Sequence, residues 1–202
     1  MEKDKLIHKF DKQASVYDRR RRNASDRKWR EPLISSAYGK VLEISVGAGA
    51  NFPFYPKRVE VTAVDFSSDM LLAAKRGAAD HRLNVEFIRS DVESLAFPSN
   101  TFDTIVSTLS FCGYENPLNV LASLNQWCKP DGQILLMEHG RSSNAIIRSM
   151  QNLMNPMFRR MVGCHFNRDI MGMLQQAGLR IEREEHHWMD MIHLLWARPK
   201  KV

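Results

Sequence analysis

Residues 43–51 read EISVGAGAN, between the short apolar run Lys40-Val41-Leu42 and the aromatic stretch Phe52-Pro53-Phe54-Tyr55-Pro56. Gly47 and Gly49 permit tight backbone conformations and let a ligand come close to the main chain. Ala48 and Ala50 keep the surface low. A helix N-terminus following such a turn would offer unpaired amides. Strand–helix packing alone can ask for the same glycines, so the meaning of the turn depends on what surrounds it.

Working outward, KVLEIS and VEVTAVD read as strands and SSDMLLAAKRGAA as a helix capped by Ser67 or Ser68. NVEFIRSD and FDTIVSTLSF are a third and a fourth strand. NPLNVLASLNQWC is a helix stopped by the turn KPDG, and QILLMEHG is a fifth strand. This alternation is the rhythm of an α/β fold with an open, mostly parallel sheet and helices on both faces. RDIMGMLQQA is a further helix, and LRIEREEHHWM and IHLLWARP are two closing strands. Residues 4–38 read as helical and polar, with Pro32 opening a helical turn and Gly39 ending the segment. Residues 143–163 repeat apolar side chains at helical spacing, and Pro156 is expected to break or kink that helix. The expected organisation is an N-terminal helical cap over 1–38 and one α/β domain over 39–200, with 141–165 as a lid inserted in it.

In an open α/β sheet, ligands sit beyond the C-terminal ends of the strands, where the loop after the first strand lies. Asp65 ends the second strand 18 residues after Gly47 and can accept hydrogen bonds from a ribose diol. Asp91 ends the third strand on the same rim, where a carboxylate can accept from an exocyclic amine. Phe66 and Met70 can wall an adenine. Glu43 discriminates among nucleotides. A carboxylate at the end of the first strand repels a pyrophosphate but suits an amino-acid ammonium or a sulfonium, which favours S-adenosylmethionine over NAD. No GKS or GKT is present to grip a phosphate.

With VLEISVGAGANFPFYP, VTAVDFSSDML, VEFIRSDVESLAFPSNTFDTIVSTLSFC, WCKPDGQILLMEHG and IHLLWARPK in this order, the chain resembles the class I S-adenosylmethionine-dependent methyltransferases over roughly residues 14–198. The likeness is greatest to the group of ubiquinone/menaquinone methyltransferases, phosphatidylethanolamine N-methyltransferases and related thiol methyltransferases. It implies a Rossmann-like sheet of seven strands with an antiparallel final hairpin, and S-adenosyl-L-methionine as cofactor, leaving as S-adenosyl-L-homocysteine. It also implies a cofactor set. Glu43, Gly47 and Gly49 surround the methionine part, Asn51 belongs to the same set, and Asp65 holds the ribose. Phe66 and Met70 lie against the adenine, Asp91 and Val92 meet its edge, and Ser107 and Thr108 lie beneath the sulfonium. Tyr17 closes over the site. The departure is Ser45, where relatives commonly carry glycine. Ser45 must adopt an ordinary backbone conformation or a strained one, and its hydroxyl can meet the cofactor carboxylate.

Methyl transfer from a sulfonium is a displacement that needs alignment and exclusion of water more than a strong base, so no catalytic residue is assigned. Tyr114, His139 and His165 are candidates for the acceptor wall. The methionine-rich segment 143–163 suits a hydrophobic or lipid-like acceptor such as a phospholipid amine. A soluble thiol, phenol or amine metabolite, and a non-catalytic cofactor-binding regulator, are the alternatives. Of the net charge of +6, all resides in residues 1–30, where eleven Lys/Arg face five Asp/Glu. The stretch 19–30 can therefore meet an anionic membrane surface. One basic cluster without zinc-finger spacing argues against nucleic acid, and the histidines and cysteines lack metal-ligand spacing. Cys112, Cys128 and Cys164 form no disulfide framework. With no apolar run near the roughly 20 residues needed to span a bilayer, the expectation is a cytoplasmic protein, membrane-associated if the basic cluster docks.

Overall fold

A computed structural model describes residues 3–23 and 26–200 of the chain. One seven-stranded sheet organises them, in the order β3-β2-β1-β4-β5-β7-β6. β1 (Lys40–Ile44), β2 (Glu60–Asp65), β3 (Val85–Arg89), β4 (Phe102–Thr108) and β5 (Cys128–His139) pair in parallel. β7 (Ile192–Arg198) runs antiparallel between β5 and β6 (Arg180–His187). This is the Rossmann-like α/β sheet with the antiparallel final hairpin expected from the sequence.

Alternation along the strands divides the core. Val41, Ala63, Val106 and Leu135 face α2 (Arg27–Ile34) and α3 (Ser68–His81). Their neighbours Leu42, Val64, Ile105 and Ile134 face α4 (Pro117–Trp127) and α6 (Ile170–Gln176) on the other side. The central strands β1, β2 and β4 are buried on both faces, as the interior of a parallel sheet requires, while the edge strands β3 and β6 are more exposed. The strand order reverses between β1 and β4, so the loops leaving these two strands diverge and open a crevice there.

Residues 4–38 are helical as expected, in two helices, α1 (Lys3–Asn23) and α2. Three local expectations need correction. Pro32 lies inside α2 rather than opening a turn, because Trp29 and Arg30 donate to the Asp26 carbonyl and start the helix ahead of it. KPDG does not separate α4 from the fifth strand. Cys128 already pairs with Phe102, and the register then jumps to Thr104–Gln133, so the turn is a bulge carried within β5. Pro156 does not break α5 (Ala145–Val162), which runs from its Asn144 cap to Gly163 at φ +85°.

The N-terminal basic cluster is partly spent inside the protein. Buried Arg21 binds Asp18 at 2.9 Å and Asp80 at 3.1 Å, and Arg22 binds Asp18 at 3.1 Å. Arg27 pairs with Glu31, and buried Arg30 turns inward. Within the stretch 19–30, residues 24 and 25 lie outside the described residues. No described helix is long and apolar enough to cross a membrane. Among the described residues no group of three or more His, Cys, Asp or Glu side chains is placed to hold a metal ion.

Candidate active site

A cavity of about 410 Å³ occupies the crevice between the β1 and β4 loops. Its floor is the glycine turn, its rim carries Asp65 and Asp91, and α1 covers it with Leu6, Ile7, Phe10 and Tyr17.

The two glycines of the turn do different work. Gly47, at φ +55°, lines the cavity, and a Cβ there would meet only Tyr17, at 4.0 Å. The space above its Cα therefore belongs to the cavity. Gly49, at φ +80°, faces the other way, and a Cβ on it would stand 2.6 Å from the Phe52 ring. Gly49 serves packing and does not reach the cavity wall. Ser45 takes the strained option, at φ +50°. Its hydroxyl lies 2.7 Å from the Tyr114 hydroxyl, which ties the glycine turn to the loop after β4. This tether opposes the cost of left-handed backbone at a residue with a Cβ.

Asp65 is buried at the end of β2 and accepts from Gly47 N and Ser67 N, each at 2.9 Å. An ionised carboxylate has about four acceptor positions, so two bonds leave capacity for a diol at the cavity. Burial pushes its carboxyl up to about 6, against its hydrogen bonds from backbone amides, those of Ser67 and Gly47 foremost. Ser67 caps α3 by accepting from Met70 N at 3.1 Å, and its hydroxyl donates to Asp11 of α1 at 2.5 Å. The cover over the cavity is thereby fastened to the rim at Asp65. Phe66, Met70, Asp91 and Val92 line the same side, and the Phe10 and Phe66 rings meet edge-on at 5.4 Å.

Glu43 is fully buried behind this wall, not on it. It accepts from Asn51 Nδ2 and Tyr55 Oη, both at 2.8 Å. Arg30 donates to Asn51 Oδ1 at 2.6 Å and to Thr108 Oγ1 at 3.0 Å, and of these five residues only Arg30 and Thr108 reach the cavity. Glu43 thus acts on the cavity through Asn51 and Arg30. Burial pushes its carboxyl up to about 7, against the bonds from Tyr55 and Asn51. Ser107 is also set back. It donates to Glu138 at 2.8 Å, and Glu138 accepts from Ser110 N and Phe111 N, which shapes the loop after β4. Burial raises Glu138 to about 7 as well.

Of the sequence-derived cofactor set, Tyr17, Ser45, Gly47, Asp65, Phe66, Met70, Asp91, Val92 and Thr108 come together around the cavity, while Glu43, Gly49, Asn51 and Ser107 stand behind it. Of the acceptor candidates, Tyr114 lines the cavity. His139 stacks on Phe166 at 5.1 Å, and burial lowers it to about 4. His165 faces Asn155, and neither histidine reaches the wall. The expected lid, 141–165, contributes no lining residue. Sequence reasoning missed three features. Leu6, Ile7 and Phe10 lie with Tyr17 on one face of α1, a spacing visible beforehand. Arg30 was hidden in a charge run. Cys112 and Cys164, 52 positions apart, bring their thiols into hydrogen-bonding contact, both free.

The site fits S-adenosylmethionine on its own geometry. A side-chain-free floor at Gly47, a carboxylate with spare acceptor capacity at Asp65, and apolar walls at Phe66 and Met70 converge on one cavity. The product of that cofactor, S-adenosylhomocysteine, would use the same contacts. Known proteins agree. Residues 41–132 match a family model described as a methyltransferase domain. The chain is 32% identical over 108 residues to a phosphatidylethanolamine N-methyltransferase of Cereibacter sphaeroides, covering 52% of this chain and 53% of that protein. It is 30% identical over 144 residues to a demethylmenaquinone methyltransferase of Renibacterium salmoninarum, covering 67% and 59%. The matches thus span a little over half the length of these two relatives. A solved S-adenosylmethionine-dependent methyltransferase from Thermotoga maritima superimposes with a TM-score of 0.71 at 15% identity, over 96% of this chain and 100% of that one, which shows the shared fold. By its matched residues and sheet topology, the chain carries a methyltransferase domain in the fold of the S-adenosylmethionine-dependent methyltransferases, which implies S-adenosyl-L-methionine as its cofactor.

Proposed function

We propose that the protein transfers the methyl group of S-adenosylmethionine to a hydrophobic, lipid-like acceptor, with a phospholipid amine as the first candidate. The observation that carries this reading is the two-sided cavity. Its floor and rim are polar and glycine-lined, and its cover is the apolar set Leu6, Ile7 and Phe10 with Tyr17. In this assignment Gly47, Asp65, Phe66, Met70, Asp91, Val92 and Thr108 hold the cofactor. The apolar face of α1 holds the acceptor's hydrocarbon, and residues 1–38 act as the cap that excludes water. Glu43, Asn51 and Arg30 position the floor from behind. The names of the two curated relatives, one a phospholipid and one a quinone-precursor methyltransferase, lend the same direction.

The displacement itself asks little acid–base chemistry of the chain. An amine acceptor must arrive neutral, and the cap must keep methyl and nucleophile in line. The test is methyl transfer from labelled cofactor into a mixed panel of lipids, thiols, phenols and amines presented in detergent micelles, with products partitioned between organic and aqueous phases. Label in the organic phase is expected. Label confined to water would replace this reading with a soluble metabolite acceptor. Cofactor binding without any label across the panel would favour a regulatory binder.

A further inference from the structure

α5 leaves a row of large apolar side chains in solvent: Ile146 74%, Met150 56%, Leu153 83%, Met157 49% and Met161 61% exposed. At 100° per residue these five fall within an 80° sector of the helix, and from 146 to 161 they run about 22 Å along it. Ile147, Met154 and Phe158 lie on the adjoining face, which packs inward and is half-buried. α5 thus has one wide apolar arc, of which the protein covers one edge and leaves the other bare. Single exposed apolar residues are ordinary, but a contiguous row of this length marks an interaction site.

The row continues past the helix. Ser142 Oγ and Ser143 N both donate to the Met189 carbonyl, at 2.8 and 3.2 Å, and so pin the β6–β7 turn against the start of α5. On that turn Trp188 is 60% and Met189 53% exposed. The Trp188 ring meets Trp29 edge-on at 4.9 Å, and the Lys28 ammonium lies 4.7 Å from the Trp29 ring centre.

Charge distinguishes among occupants. α5 carries Arg148, Arg159 and Arg160 and no acidic residue, and Lys28 adds a cation at the far end of the surface. Asp190, the acidic side chain of the adjoining turn, lies 3.6 Å from His186. An amphipathic helix with a bare apolar edge, arginines able to reach outward along their stems, and an exposed tryptophan beside it has the composition of an interfacial helix. We infer that α5 and the 188–189 turn form a docking face for an anionic lipid bilayer, with the helix lying in the interface and not crossing it. This moves membrane contact away from residues 19–22, where Arg21 and Arg22 are already paired with Asp18. At its C-terminal end the face adjoins the active-site wall. His165 N donates to the Cys112 carbonyl at 2.9 Å, and Arg168 bonds to the Tyr114 carbonyl, both in the loop after β4. The inference deepens the hydrophobic-acceptor reading and rests on it for its purpose, since a docked face would bring the cavity to the layer where such acceptors dissolve.

The test uses the full chain and co-sedimentation with vesicles of neutral phosphatidylcholine, alone or with about a third phosphatidylglycerol, at low and high salt. The wild type should bind the anionic vesicles, more weakly at high salt, and the neutral ones at least about tenfold less. Leu153→Asp with Met157→Asp should reduce anionic-vesicle binding at least about tenfold, because two side chains lose their apolar burial. Arg160→Glu should weaken it by a smaller factor. Thermal melting and cofactor calorimetry should be unchanged in both variants, since the substituted positions are exposed and none of them lines the cavity. Absence of vesicle binding, or binding that the double variant retains, overturns the inference. So does a concentration-dependent dimer in centrifugation that the double variant dissolves, which would assign the face to a second copy. The micelle assay above uses no bilayer, so failure of docking and failure of the acceptor reading give separate results.

Discussion

α3 and α5 are both amphipathic, and the protein treats them oppositely. α3 buries Met70, Leu71, Ala73, Ala74 and Ala78, and leaves one large apolar side chain, Leu72, exposed. It is capped by Ser67, and that cap is held in turn by Asp11 of α1. α5 is also capped, by Asn144, yet no side chain of it among the described residues is fully buried and five large apolar ones stand in water. The difference shows where each helix finds its partner. α3 completes a core and the cofactor rim, while α5 presents an apolar edge that the fold does not use.

The sharpest way to break this division is at the glycine turn, on the α3 side. Gly47→Val should lower cofactor affinity more than about a hundredfold, with a fall in melting temperature limited to the strain of its positive φ, since its side chain enters open cavity. Gly49→Val should instead destabilise the fold, because its Cβ meets the Phe52 ring. Calorimetry and melting of the pair separate the two roles. Next comes packing. Leu71→Ala should cost about 2–4 kcal/mol in denaturant unfolding, whereas Leu153→Ala should stay within about 0.5 kcal/mol. A large loss at Leu153 would show that α5 belongs to the core after all.

Asp65→Ala should weaken cofactor binding through lost charge-assisted bonds, each worth about 1.5–3 kcal/mol. A smaller effect lies in the buried carboxylates. Glu43 and Glu138 are raised to about 7 in the folded chain from an ordinary 4.5, so between these values the folded state holds the extra protons. Their contribution to stability is complete below pH 4.5 and falls as pH rises towards and through 7. Glu43→Gln should flatten that slope in melting curves of the cofactor-free protein. The smallest expected change is Ser67→Ala, about 1 kcal/mol for the lost cap. It should be accompanied by weaker protection of α1 amides in hydrogen exchange, since the Asp11 tether goes with it.

The strand–helix rhythm was legible because β1, β2, β4, β5 and β7 each carry an apolar run, with glycine, proline or capping serine at several of the turns between elements. Asp65 and Asp91 were legible because strand ends fix where side chains at the sheet rim emerge. What escaped depends on pairing across long separations. Glu43 has the right residue type near a cofactor, but only the positions of Asn51 and Tyr55 decide that it faces away from the cavity. Gly47 and Gly49 look alike in sequence and differ by which way their Cα hydrogens point. The arginine run appeared as one patch, since nothing local says that Arg21 meets Asp80 or that Arg30 turns under Thr108. KPDG carried a genuine turn signal, yet tertiary pairing of Cys128 with Phe102 absorbed it into a strand. The histidines were judged by chemistry alone, and burial against Phe166 placed His139 elsewhere.

The central claim is that the cavity over Gly47 binds S-adenosylmethionine, and its most direct test is calorimetric titration of that cofactor into the wild type and Gly47→Val. The account predicts one site per chain in the wild type and no measurable binding in the variant, at a temperature where cooperative melting shows both proteins folded. Equal affinity in the two proteins, or no binding to a folded wild type, would contradict it.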